Sequence, residues 1–243
     1  MRIGIAAVKQ LPLAMRLRER AVFDCYVAGP NLAPVEQLRR LARGSVSGMY
    51  WLSGPAGVGK SHLLQATCAM AQSTGAGSAY LPLSQLVALG PETLEGWQGA
   101  RVLALDDLAA VAGRRDWEQG LFRLYREADE RGAVLLAADA APPLLLKFSL
   151  PDLASRFAAA TLLSLRPLDE PGQYEALRLR ARARGLDLPQ ETALYLQRRF
   201  RRDLPSLYEL LDLIDEAALQ AQRRLTVPFI RQVLAQRSRG VPE

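Results

Sequence analysis

Lysine is nearly missing from this chain: only Lys9, Lys60 and Lys147 are lysines among its 31 basic residues. The net charge of +6 and the pI near 9.7 invite a nucleic-acid reading. The arginine preference runs along the whole sequence, however, so the charge is partly compositional and is weak evidence for direct DNA binding. One histidine, His62, excludes a multi-histidine metal cluster and a Ser-His-Asp triad of ordinary geometry, and a structural role is the expectation for it. The two cysteines, Cys25 and Cys68, lie too far apart for a zinc site or a redox pair. Both read as reduced, half-buried residues. No apolar run approaches the ~20 residues of a membrane span. The stretch Met1 to Val8 is too short, and too soon interrupted by Lys9 and Gln10, for a secretory signal. The expectation is a cytoplasmic protein with no membrane partner.

What is present is ordinary for a globular protein: 49% apolar and 23% charged residues over 243 positions. That length fits one domain, or a base with a small helical appendage. Apolar strands are predicted at Met49–Ser53, Ser78–Leu81, Arg101–Leu105, Ala133–Ala138 and Thr161–Leu165. A helix at Ala33–Arg43 precedes the first strand, and helical stretches separate the strands, from Lys60 to about Ala71 and most clearly at Asp116–Glu130. Continuous apolar strands alternating with helices predict an α/β base, a five-stranded parallel sheet covered on both faces. After Arg166 the pattern is helical throughout, near Glu170–Arg184, Pro189–Arg199, Leu204–Arg223 and Val227–Arg237. Pro189 and Pro228 fall in predicted first turns, and Gly185 ends the first of the four helices. The organisation expected is a tail and linker over residues 1–22, the base over 23–166 and a helical unit over 167–243.

The chemistry is concentrated in Gly54-Pro55-Ala56-Gly57-Val58-Gly59-Lys60-Ser61, a full match to the P-loop pattern G-x-x-x-x-G-K-[ST]. Glycines let the backbone wrap close to a phosphate, and amides at the start of the following helix point at the anion. Lys60 supplies a charge to the β- and γ-phosphates, and the Ser61 hydroxyl ligates Mg²⁺. An apolar strand, Val102 to Leu105, then ends in Asp106 and Asp107. Asp106 would hold the Mg²⁺ shell and Asp107 could orient an attacking water.

A P-loop sheet followed by a helical lid resembles the AAA+ superfamily. That resemblance implies three further polar positions. Asp139, closing a strand, matches the sensor 1 position; Arg156, in Leu150-Pro151-Asp152-Leu153-Ala154-Ser155-Arg156-Phe157, matches the arginine finger; and Arg202 matches sensor 2, with Arg201 as the alternative register. The segment Phe23-Asp24-Cys25-Tyr26-Val27-Ala28-Gly29-Pro30-Asn31 resembles the adenine-side loop of the DnaA replication initiators, which implies Tyr26 and Val27 in nucleotide binding. The stretch Gly59 to Leu64, with His62, is DnaA-like as well. The sequence ends at Glu243, so the expectation is that the helix-turn-helix domain and long N-terminal region of DnaA are absent. What remains is similar to the Hda family of short DnaA homologues, nearly continuously over residues 23–238.

The family likeness implies a clamp-docking peptide, and Gln10-Leu11-Pro12-Leu13-Ala14-Met15 resembles it. Gln10 would hydrogen-bond at the rim of a pocket on the DNA polymerase III β sliding clamp, while Leu11, Leu13 and Met15 bury apolar surface. The implied function is regulatory inactivation of DnaA by a clamp-bound protein carrying ADP or ATP with Mg²⁺. Arg156 would act in trans on the ATP of DnaA, and DNA would be contacted indirectly, through the clamp, at the nucleoid. Two departures stand out: Ala158-Ala159-Ala160 replaces a Gly-Trp-Gly-like turn, and Ala140 follows Asp139 where DnaA has an arginine. Intrinsic ATP hydrolysis, the nucleotide carried and self-association stay open. The rivals are a self-contained ATPase of the helicase-loader type and a DNA-binding module using the lid arginines. Arg178, Arg180, Arg182 and Arg184 read either as a solvated face or as a partner or DNA-backbone surface with strong salt dependence.

Overall fold

The computed structural model describes residues 21–97, 99–199, 204–221 and 226–238. Gln10, Leu11, Leu13, Met15, Arg201 and Arg202 lie outside the described residues.

Strands with unbroken apolar sequence need cover on both faces, and alternate side chains divide between the two. Five parallel strands, β1 (Gly48–Ser53), β2 (Ser78–Pro82), β3 (Val102–Asp106), β4 (Val134–Asp139) and β5 (Thr161–Ser164), form one sheet in the order β2-β3-β4-β1-β5. Tyr50, Leu52, Ala104 and Leu136 face a core built with α1 (Leu32–Ala42) and α2 (Lys60–Ser73). Trp51, Leu103, Leu105 and Leu135 face the opposite core, closed by α4 (Arg115–Glu130) and α5 (Pro151–Ala158). The buried residues Trp117, Leu121, Leu124 and Ala128 recur along α4 at the spacing of one helical face. The four-residue α3 (Leu83–Leu86) and α5 are helices beyond those the periodicity predicts, because each is too short to show a repeat.

Four helices follow, α6 (Glu170–Ala183), α7 (Gln190–Arg199), α8 (Leu204–Ala221) and α9 (Val227–Ser238), around a core including Leu177, Leu196, Leu207, Leu211 and Ile230. Asp169 caps α6 by accepting the Gly172 N–H at 2.9 Å. Pro189 lies just before α7 rather than within it, its carbonyl accepting the Ala193 N–H at 3.0 Å.

The lid arginines are not a uniformly solvated face. Arg178 forks onto Glu175, Arg180 lies 4.4 Å over the Tyr208 ring while reaching Asp212, and Arg184 pairs with Asp212 and Asp215. The carboxylates of α8 draw α6 onto it, and Arg182 stays exposed. The cysteines also differ from expectation: Cys25 is exposed, and Cys68 is buried on α2, where burial pushes its thiol up to about 12. Among the described residues, no helix is long and apolar enough to cross a membrane.

Candidate functional site

Between β1 and α2 the chain turns on glycines. Gly57 and Gly59 take φ of 78° and 99°, a region side chains rarely enter, and Gly54 takes 155°. A Cβ at Gly54 would stand 2.8 Å from the Leu165 carbonyl oxygen, one at Gly59 would stand 2.6 Å from the Tyr26 ring, and one at Gly57 would collide with Pro205 of α8. The loop is therefore fixed by conformation and by close neighbours, one of them on the helical unit. At its end, the first amides of α2 lack intrahelical partners and carry the positive end of the helix dipole. The Lys60 ammonium donates to the carbonyls of Gly54 at 2.7 Å and Pro55 at 3.0 Å. Partial burial lowers its pKa, while Asp106, Asp139 and Asp107 act to raise it.

The strand order brings the acidic residues to this loop. Ser53 is in register with Asp139, and Ala138 with Asp106, so three adjacent strands end together. Asp106 is buried and accepts the Tyr80 hydroxyl at 2.7 Å and the Asp107 N–H at 3.1 Å. Burial raises its pKa, against hydrogen bonding from Ser61 and Tyr80 that favours the charged form. The Tyr80 phenol is raised as well, first by burial and then by the Asp106 charge. Asp107 is the one described non-glycine residue at positive φ, 59°, and accepts the Ser84 hydroxyl at 2.6 Å. Asp139 accepts the Ala109 N–H at 2.7 Å and the Ala141 N–H at 3.4 Å, tying the loop after β3 to the loop after β4.

Ser61 and Asp106 thus face one another as a pair of hard oxygen donors, a set that fits Mg²⁺ completed by phosphate oxygens and water. Among the described residues no cluster of three or more His, Cys, Asp or Glu side chains could hold a metal ion unaided.

The segment before α1 closes the other side of the loop. Tyr26 donates to the Val58 carbonyl at 3.1 Å, and burial pushes its phenol up to about 12. The buried Asn31 amide donates to the Arg166 carbonyl at 2.9 Å and accepts the Arg166 N–H at 2.8 Å, fastening this segment to the chain as it leaves β5. His62 Nε2 lies 2.9 Å from the Val22 carbonyl, with its ring 5.8 Å from that of Tyr26. Tyr26 and His62 therefore collect beside the P-loop, and Val27 follows Tyr26 in the same segment.

Arg156 is elsewhere. It is exposed on the last turn of α5, 5.7 Å over the Tyr125 ring, and lines a recess of about 270 Å³ with Ser47, Gly48 and Thr161. Those residues mark the N-terminal ends of β1 and β5, whereas Lys60 follows the C-terminal end of β1. Six residues at roughly 3.3 Å each separate the two ends by about 20 Å. Leu153 and Phe157 anchor α5, Phe157 packing edge-on to Trp51 at 5.4 Å.

Sequence reasoning did not single out Tyr80, Asn31 or Glu118 as site residues. Each acts through a partner 26 or more positions away or, for Glu118, also across a loop, and no local spacing announces such contacts.

Comparison with known proteins fits this geometry. Residues 170–234 match the family model described as Hda, lid domain. Domain III of the Thermotoga maritima initiator DnaA superposes with a TM-score of 0.76 at 18% identity, over 89% of this chain and 96% of that one. The AMPPCP-bound DnaA of Aquifex aeolicus gives 0.66 at 20% identity, over 85% and 69%. RuvB of Thermotoga maritima, a Holliday-junction branch-migration motor, gives 0.56 at 18%, over 84% and 68%. Residues 170–234 are therefore similar to the lid domain of Hda, and the chain as a whole has the fold of DnaA domain III, a parallel five-stranded sheet with a helical unit after it.

Proposed function

We propose that this chain is a clamp-bound regulator that stimulates hydrolysis of the ATP held by DnaA and so restrains initiation of DNA replication. In this reading residues 1–22 are the clamp-binding tail and linker, 23–166 the base and 167–243 the lid. The tail docks Gln10, Leu11, Leu13 and Met15 on the β sliding clamp, which brings the protein to DNA and to the replisome. The loop from Gly54 through Pro55, Ala56, Gly57, Val58 and Gly59 cradles the phosphates of ADP or ATP. Lys60 neutralises them, Ser61 and Asp106 hold Mg²⁺, and Tyr26, Val27 and His62 flank the base. Asp107 orients water, while Asp139 and Arg202 sense the phosphate state. The AMPPCP-bound DnaA structure supports an adenine nucleotide.

The observation that carries the trans-acting role is the position of Arg156, exposed at the sheet end away from its own Lys60. A guanidinium there is free to meet a nucleotide held by a neighbouring protein, where it stabilises charge developing on the γ-phosphoryl group. Arginine fingers contribute ~10³–10⁵ in rate in GTPases.

The test is hydrolysis of DnaA-bound ATP with and without this protein, in the presence of DNA-loaded clamp. Stimulation that disappears when Gln10, Leu11 and Leu13 are replaced by alanine supports the reading. A second reading, a self-contained ATPase, draws on the intact P-loop and the Ser61–Asp106 pair. Substantial turnover without DnaA, indifferent to the tail substitutions, would favour it.

A further inference from the structure

Glu118 lies on α4 with no solvent exposure, and the P-loop chemistry does not use it. Its Oε1 accepts the Gly113 N–H at 2.7 Å and the Ser149 N–H at 2.9 Å, and its Oε2 accepts the Leu150 N–H at 2.6 Å. A buried carboxylate is costly, and these three amides are what stabilise it. They come from two loops that differ in what they carry. Gly113 belongs to the loop that leaves Asp107, whose Ala109 N–H is held by Asp139. Ser149 and Leu150 open α5, and the Ser149 hydroxyl also donates to the Gly113 carbonyl at 3.2 Å. Leu150 is the N-cap of α5 and has no side-chain cap of its own. Glu118 supplies from α4 the carboxylate that a capping-box glutamate at the third helical position, here Leu153, would otherwise offer the Leu150 N–H, and it places negative charge at the positive end of the helix dipole.

We propose that Glu118 is a positioning residue for Arg156. Its carboxylate fixes the start of α5 against the loop that leaves the Asp106–Asp107 pair, and thereby sets the direction in which the guanidinium is presented. The lever is short and stiff. Eight helical residues span about 12 Å, so a tilt of about 10° at Leu150 moves the far end by about 2 Å. Misplacement by ~1 Å is enough to cost ~10²-fold where a group must meet a transition state. The same contacts join the finger helix to the loop beside the chain's own P-loop, so both are registered on one carboxylate. The inference rests on the reading of Arg156 given above.

The test compares E118Q with R156A in the clamp-dependent assay of DnaA-bound ATP hydrolysis. In E118Q one amide oxygen can still accept, while the NH₂ group opposes an N–H donor and frees one end of the contact. The expected result is a folded protein that binds ADP within about twofold of the parent, with stimulation at saturating concentration reduced roughly tenfold or more and half-saturation within about threefold. Hydrogen exchange should show Ser149 and Leu150 losing protection while the β1 amides keep theirs. A merely structural role would lower the melting temperature and leave the saturating rate intact. If R156A stimulates like the parent, the finger reading itself falls, and this inference with it. If R156A loses stimulation and folded E118Q keeps it, only the role of Glu118 is overturned. E118D, a shorter carboxylate, replaces E118Q should the latter not fold, with an intermediate loss expected. Failure of both variants to fold overturns the inference by assigning Glu118 to folding alone.

Discussion

At the C-terminal end of the sheet Lys60, Asp106 and Asp139 are drawn together, partly or fully buried, and braced by Tyr26, Tyr80 and Asn31. At the N-terminal end, Arg156 stands exposed over the Tyr125 ring on the last turn of α5. The first end carries the parts of a site closed within the chain; the second presents the Arg156 guanidinium outward, in a recess that Asp129 also lines. Among the described residues, Lys60 and the Asp106–Asp107 pair all lie at the other end of the sheet. The proposed regulator, acting on another protein, rests on this difference between the ends, and each end can be broken separately.

The largest expected effect is at the open end. R156A should reduce stimulated hydrolysis of DnaA-bound ATP by roughly 10³-fold, with ADP affinity and melting temperature at parental values. R156K should recover little, because an ammonium lacks the planar fork of a guanidinium. Parental stimulation by R156A would erase the division between the ends.

At the closed end, K60A should weaken ADP binding about 10–100-fold, as expected for a lost charge-assisted hydrogen bond. Calorimetry measures this directly. An unchanged ADP affinity would remove the P-loop from the account, whatever the finger does.

The Asp106 carboxyl sharpens the contrast through pH. Burial raises its pKa, so it takes up a proton at higher pH than a surface aspartate does. In the proposed site Mg²⁺ would bind the carboxylate, so Mg²⁺-dependent nucleotide affinity should fall as pH drops through that raised value and be restored as it rises. D106N should flatten the profile, whereas R156A should leave its shape untouched. A fluorescent nucleotide titrated between neutral and mildly acid pH reads both.

Smallest is Y26F, which deletes the hydroxyl joining Tyr26 to the Val58 carbonyl. A loss of about 1 kcal/mol corresponds to roughly fivefold in nucleotide affinity at most, with little change at the open end. An effect on stimulation larger than on affinity would show that the two ends communicate through the entry segment.

The P-loop is legible in eight contiguous residues because its glycines, its lysine and its hydroxyl must be neighbours in the chain to wrap one phosphate group. The five strands are equally legible, since burial on both faces demands apolar runs, and their predicted limits fall within one residue of those observed. The change from strands to helices after Arg166 is legible for the same reason, since α6 to α9 follow β5 with no further strand among the described residues. Cys25, Cys68 and the lid arginines were not legible in this way. Exposure and ion pairing depend on which element lands opposite, and Arg180 and Arg184 meet carboxylates of α8 roughly 30 positions on.

The sequence by itself determined a phosphate-binding loop, an α/β base with buried parallel strands and a helical unit after it, because each follows from residues adjacent in the chain or from a short periodicity. Only the tertiary structure decided that β4 lies between β1 and β3, which sets Asp139 between the P-loop strand and Asp106. It also decided that Asn31 fastens to Arg166, that Glu118 holds the start of the helix of Arg156, and that this helix ends at the far end of the sheet. Strand order and the contacts between loops are set by how whole elements pack, and five similar apolar strands carry no local mark of which will be neighbours.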